Sequence, residues 1–172
     1  MAAKPLFLVG YMGCGKSTIG RKLARRLGVP FIDTDSRVEE REGATVFDIF
    51  HYEGEERFRA IEREVLEEVI RREEASVVST GGGLPAWGDN MERMNEVGRT
   101  VYLKRSAENI ASRLSPYGRQ KRPRLRGLND EELVLFMRDD MAKRDPFYSR
   151  AVQVIACEGK SDEEIIREII DF

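Results

Sequence analysis

Short apolar runs alternate along this chain with longer stretches in which apolar residues recur every three or four positions. Residues 6–9 (Leu-Phe-Leu-Val) form an unbroken run of the kind that makes a buried strand. Residues 31–35 (Phe-Ile-Asp-Thr-Asp), 76–79 (Ser-Val-Val-Ser), 100–103 (Thr-Val-Tyr-Leu) and 152–156 (Val-Gln-Val-Ile-Ala) also read as strands. Between them the period becomes helical. Ile19, Leu23 and Leu27 share one face of a helix that Gly28 and Pro30 end. Residues 37–72 read as helical, capped by Ser36 and broken near Gly43 and Gly54. Further helices are predicted over about 86–96, from Ser106 to about Leu114, from Asn129 to about Lys143 with Pro146 as its stop, and from Ser161 onward. This alternation predicts parallel strands, right-handed crossovers and helices on both faces, a three-layer α/β/α fold. At 172 residues the chain suits one domain with a good core. Ligands of such sheets sit beyond the carboxyl ends of the strands.

The first strand end carries the most specific pattern, Gly10-Tyr-Met-Gly-Cys-Gly15-Lys16-Ser17. Glycine, four residues, glycine, lysine and serine, placed between a strand and a helix, make a phosphate-binding P-loop. A plain glycine turn would not need that context. Glycines let successive N–H groups point at one anion, and the helix N-terminus adds positive potential. Gly13, Cys14, Gly15, Lys16, Ser17 and Thr18 are the expected nucleotide cradle. Lys16 would reach the β- and γ-phosphates, and the Ser17 hydroxyl would ligate Mg²⁺. The motif names a nucleotide but no reaction.

Other candidates also follow strands. Asp33 and Asp35 end the second strand, and one can serve Mg²⁺ while the other orients an acceptor hydroxyl and takes its proton. Phe58-Arg59-Ala-Ile-Glu62 puts Arg59 and Glu62 on one helical face. That is either a surface ion pair or an arginine fork held to grip an anion. Gly81, Gly82 and Gly83 are more glycine than a turn requires and suggest close approach of a ligand to the backbone. Residues 115–127 hold Arg119, Lys121, Arg122, Arg124 and Arg126 and no acid, and would form a solvated loop or a lid over the γ-phosphate. Spacing does not choose among these arginines. Arg144, near a helix C-terminus, could be a dipole partner alone. His51, the only histidine, lies outside every motif and reads as structural or exposed; Trp87 reads as packing the helix after the glycines.

Composition removes other classes. Lys and Arg number 29 against 31 Asp and Glu, for a net charge of −2, so neither nucleic acid nor membrane is an expected partner. Cys14 and Cys157 are far apart, one inside the phosphate loop, which argues for a reducing cytoplasm without disulfide or structural zinc.

Taken together, the P-loop, Asp33-Thr-Asp35, Phe58-Arg59-Ala-Ile-Glu62, Gly81 to Gly83, Arg122-Pro123 and Lys143-Arg144-Asp-Pro-Phe-Tyr148 closely resemble the shikimate kinase family over nearly the whole chain. The resemblance implies an adenylate-kinase-like fold with sheet order 2-3-1-4-5 and a mobile lid at about 115–127, with acceptor-binding helices at about 34–62. It implies ATP and Mg²⁺ and phosphorylation of the 3-hydroxyl of shikimate on the way to chorismate and the aromatic amino acids; a monomer is expected because small single-domain kinases are often monomers. By the family pattern Asp35 activates the hydroxyl and Asp33 with Ser17 serves Mg²⁺. Phe58, Arg59, Gly81, Gly82, Gly83 and Arg144 bind shikimate, with the two arginines on its carboxylate and Glu62 orienting Arg59. Lys16 and Arg122 stabilise the transferring phosphoryl, and Arg113 stacks on adenine. The alternatives are another small-molecule kinase of this fold, acting on gluconate or a nucleoside monophosphate, and a catalytically silent nucleotide-binding regulator.

Overall fold

A computed structural model describes residues 4–172. Five parallel strands, β1 (Leu6–Val9), β2 (Phe31–Asp33), β3 (Val77–Ser79), β4 (Arg99–Lys104) and β5 (Gln153–Ala156), form one sheet in the order β2-β3-β1-β4-β5. Helices cover both faces, as expected for a parallel sheet. The register explains why distant motifs meet. Asp33 is level with Ser79, Ser79 with Leu8, and Val9 with Tyr102. The strands therefore end along one edge of the sheet, and the segments that leave them line that edge.

Helix α1 (Lys16–Leu27) buries Ile19 and Leu23 against the sheet and ends at Gly28, whose φ of +67° suits a residue without Cβ. Helices α2 (Thr34–Glu42), α3 (Val46–Glu53) and α4 (Glu55–Arg71) are separated at Gly43 and Gly54, as the sequence predicts. Val38, Ile49, Phe58, Ile61 and Val65 give these helices a small core of their own. The main core gathers Phe7, Leu8, Val78, Val101 and Leu103 from the strands with Ile165, Ile166 and Ile169 of α9 (Asp162–Asp171).

Four sequence-based boundaries move. Strand β2 stops at Asp33, and Asp33 rather than Ser36 caps α2, its Oδ1 accepting from Ser36 N at 3.1 Å. An Asp cap satisfies a first-turn N–H and favours the positive helix end. Thr34 and Asp35 therefore belong to a helical turn. The segment predicted as one helix over 86–96 is a 3₁₀ turn at Leu84–Ala86 followed by α5 (Asn90–Val97), with Gly88 at φ +52° between them. After α6 (Ala107–Arg113) the basic segment is not a plain loop. Ser115 caps α7 (Pro116–Gln120), and a second 3₁₀ turn spans Pro123–Leu125 and buries Leu125. Finally α8 (Asp130–Tyr148), opened by an Asn129/Glu132 capping box, runs through Pro146 instead of ending near Lys143. The proline falls in the last turn, where it removes only one helix hydrogen bond. The Tyr102 hydroxyl donates to Asp145 at 2.8 Å and Tyr148 is buried, so tertiary contacts hold that turn.

Candidate active site

The phosphate loop joins β1 to α1. Gly10 has φ +146°, and a Cβ there would lie 2.8 Å from Cys14 Sγ and 2.9 Å from the Leu103 carbonyl, so only glycine fits. Gly15, at φ +103°, begins α1. Lys16 is buried and spans the loop, its Nζ donating to the carbonyls of Gly10 at 2.7 Å and Tyr11 at 3.0 Å. Ser17 Oγ donates to Asp33 Oδ2 at 2.9 Å and lies 3.4 Å from Ser79 Oγ. Asp33 thus caps α2 with one oxygen and meets the P-loop serine with the other. Arg113, on α6, lies over the loop, with Nη2 3.6 Å from where a Cβ on Gly15 would be.

Across the edge, the glycines after β3 make a floor for charged side chains. A Cβ on Gly81 would lie 2.7 Å from both Asp35 Oδ1 and Glu62 Oε1. One on Gly82 would lie 3.3 Å from Arg144 Nη1, and one on Gly83 only 2.6 Å from Arg59 Cζ. The sequence suggested close approach of a ligand; the structure adds that the site's own side chains need this room. Thr34, turned inward by the early start of α2, accepts from Gly81 N at 2.9 Å and fixes the floor. Arg59 Nη1 donates to Glu62 Oε2 at 2.5 Å, with Arg59 7% and Glu62 1% exposed, so this is no surface pair. The Arg59 guanidinium also lies 5.2 Å from the ring of Phe58, which is itself core.

Burial pushes the Asp35 carboxyl up to about 6, helped by the charge of Asp33 and opposed by Lys16 and Arg59. Burial likewise pushes Glu62 up to about 7, against Arg59. Strongly perturbed acids in a crevice mark working sites. In the basic segment, Arg122 Nη1 donates to the Gly118 carbonyl at 2.8 Å, so the arginine lies along α7. His51 is exposed beside Phe47 and Tyr52, and Trp87 is 40% exposed.

The family model described as shikimate kinase matches residues 12–172. A shikimate kinase of Parabacteroides distasonis is 46% identical over 166 residues, which are 96% of this chain and 95% of that protein. The chain belongs to the shikimate kinase family. The crystal structure of shikimate kinase from Bacteroides thetaiotaomicron superposes with a TM-score of 0.90 at 42% identity, covering 98% of this chain and 97% of that one. The Acinetobacter baumannii shikimate kinase, solved in complex with shikimate, gives 0.86 at 35% identity, covering 98% and 92%.

Within this shikimate kinase fold, the edge brings together Lys16, Ser17, Asp33, Asp35, Arg59, Gly81, Gly82, Gly83, Arg113 and Arg144. Sequence reasoning missed several supports. Arg105, 5% exposed, donates through Nε to the Cys14 carbonyl at 3.0 Å and through Nη1 to Asn109 at 3.0 Å, bracing the phosphate loop. Its signal was an arginine between a strand end and a capping serine. The Tyr148 hydroxyl donates to the Gly82 carbonyl, a contact that needs α8 to pass Pro146. Gly83→Ala tests the floor. Its φ of −92° suits alanine, so the new methyl displaces Arg59 rather than the backbone. Steady-state kinetics should show the acceptor KM about tenfold higher with a Tm loss of only a few degrees. Unchanged acceptor KM would mean that Arg59 moves without consequence.

Proposed function

We propose that this chain transfers the γ-phosphoryl of ATP to the 3-hydroxyl of shikimate, giving shikimate 3-phosphate and ADP. The observation that carries the reading is a P-loop facing two arginines across a glycine floor that also holds Asp35. A phosphate loop supplies the donor. Two guanidiniums suit one carboxylate, and one carboxylate suits an acceptor hydroxyl. Gluconate also carries a carboxylate and hydroxyls, so substrate choice is settled by assay; family membership favours shikimate.

In this reading Gly13, Cys14, Gly15, Lys16, Ser17 and Thr18 cradle the phosphates and Arg113 faces the adenine. Lys16 leaves the carbonyls of Gly10 and Tyr11 to follow the transferring phosphoryl. Arg122 exchanges the Gly118 carbonyl for the same group as the basic segment closes and excludes water. Arg59 and Arg144 hold the carboxylate. Gly81, Gly82 and Gly83 let the ring approach the backbone, with Phe58 supporting Arg59 from below. Asp35 orients the hydroxyl and takes its proton. Ser17 Oγ and the Asp33 carboxylate, 2.9 Å apart, are hard oxygen donors that fit Mg²⁺. When bound, Mg²⁺ neutralises charge on the phosphate oxygens. A monomer acting in the cytoplasm is part of the same proposal; among the described residues no helix is long and apolar enough to cross a membrane.

An ADP-release assay with shikimate, gluconate and a nucleoside monophosphate tests this directly. Turnover with shikimate alone is expected. Turnover with gluconate or a monophosphate in its place would refute the acceptor, and no turnover with any of them would favour a silent regulator.

A further inference from the structure

Tyr11 makes hydrogen bonds to both halves of the site. Its carbonyl accepts from Lys16 Nζ inside the phosphate loop. Its hydroxyl, on a side chain 1% exposed, donates to Asp140 Oδ2 at 2.7 Å. Asp140 is buried on α8, one helical turn before Arg144. A carboxylate and a guanidinium four residues apart on a helix are placed to pair, and burial strengthens the attraction. Yet Arg144 Nη2 stays 3.8 Å from Asp140 Oδ2. On the other side Arg124 Nη2, from the basic segment, lies 3.6 Å from Oδ1, its guanidinium 5.0 Å from the Phe136 ring. Asp140 is therefore held by Tyr11 and flanked by Arg124. Arg144 sits with Cζ 5.6 Å from the Tyr11 ring and Nη1 toward Gly82, facing the acceptor floor.

We propose that Tyr11 is a positioning residue for the acceptor clamp: its hydroxyl holds the Asp140 carboxylate off Arg144, so that the guanidinium keeps its donors for the acceptor's carboxylate. This rests on the reading of Arg144 as one arm of that clamp. Without the hydroxyl, the oxygen it releases, Asp140 Oδ2, faces Arg144 at 3.8 Å, while Arg124 stays beside the other oxygen, Oδ1, at 3.6 Å. The carboxylate turns onto Arg144, and an internal anion occupies the arm meant for the substrate. Residue 11 thereby sets acceptor affinity from within the nucleotide loop.

Steady-state kinetics on the full chain test this with Tyr11→Phe, Asp140→Asn, the double variant and Arg144→Ala. Tyr11→Phe should raise the KM for shikimate about tenfold, as expected for freeing a hydrogen-bonded charge. Its kcat and KM for ATP should stay within about twofold of the parent. Adding Asp140→Asn should bring the shikimate KM back to within about twofold of Asp140→Asn alone, because a neutral amide competes for the guanidinium far more weakly than a carboxylate. A merely structural tie would instead lower Tm, disturb all three kinetic parameters and add up in the double variant, and that pattern overturns the proposal. So does an unchanged shikimate KM in Tyr11→Phe. If Arg144→Ala itself leaves that KM unchanged, the clamp reading falls and takes this proposal with it.

Discussion

Asp35→Asn should lower kcat by about three orders of magnitude, the middle of the range for loss of a positioned general base. ATP binding should survive, because the amide keeps the shape of the side chain and the phosphate loop is untouched. Single-turnover assays and nucleotide titration separate the two effects. Turnover within about tenfold of the parent would remove Asp35 from the role of base. The same residue sets a pH limb. Its carboxyl, at about 6 in the folded chain, must be ionised to accept a proton, so kcat/KM should fall as pH drops through 6. Stability should change in the opposite sense. The folded-state pKa lies above the ordinary 3.8, so the folded chain holds more protons than the unfolded chain across that window. Stability from this group is therefore full below about pH 4, declines from there to 6, and stays low above it. Asparagine carries no charge to bury. Asp35→Asn should raise Tm by several degrees at pH 7.5 and leave it nearly unchanged at pH 4. An inactive, more stable variant is the expected signature of a half-buried carboxylate kept for chemistry.

Local chemistry made much of this legible in the sequence. Apolar runs, helical periods and punctuating glycines are short-range signals, and they placed the strands, α1, the breaks at Gly43 and Gly54, and the phosphate loop. The sheet order and the roles of Asp33, Asp35 and Arg144 came from resemblance to the shikimate kinase family; spacing left them open. What stayed hidden depended on partners distant in sequence or on competition between neighbours. Asp33 outcompeted Ser36 as the cap of α2, which turned Thr34 toward Gly81. Pro146 reads locally as a stop, but Tyr102 and Tyr148 hold the last turn of α8 from elsewhere in the fold. The Tyr11–Asp140 bond joins residues 129 apart, and no period or motif announces it. Gly81 to Gly83 stand out in the sequence as room for a ligand, which is only part of the reason for them. The atoms crowding them belong to Asp35, Glu62, Arg59 and Arg144.

Arg59→Ala should raise the KM for shikimate about 100-fold, the value of about two charge-assisted hydrogen bonds, with the KM for ATP little changed. A change confined to ATP would place Arg59 on the donor side and break the clamp. The substitution also strands Glu62, 1% exposed, whose Oε1 has no hydrogen-bond partner among the described residues even with Arg59 in place. Removing one member of a buried pair ordinarily costs about 3–5 kcal/mol. Here protonation limits the loss. Glu62 already stands at about 7 beside its arginine, and without that charge it moves higher. At pH 6 the variant should fold with Glu62 neutral and lose little stability. As pH rises toward 9 the carboxyl is held neutral against an increasing cost, and Tm should fall progressively. Adding Glu62→Gln supplies the control. Arg59→Ala with Glu62→Gln should restore Tm at pH 9 without recovering the shikimate KM. Recovery of both would mean that Arg59 acts only by neutralising Glu62. Recovery of Tm alone separates its two tasks, holding a buried acid and gripping the acceptor.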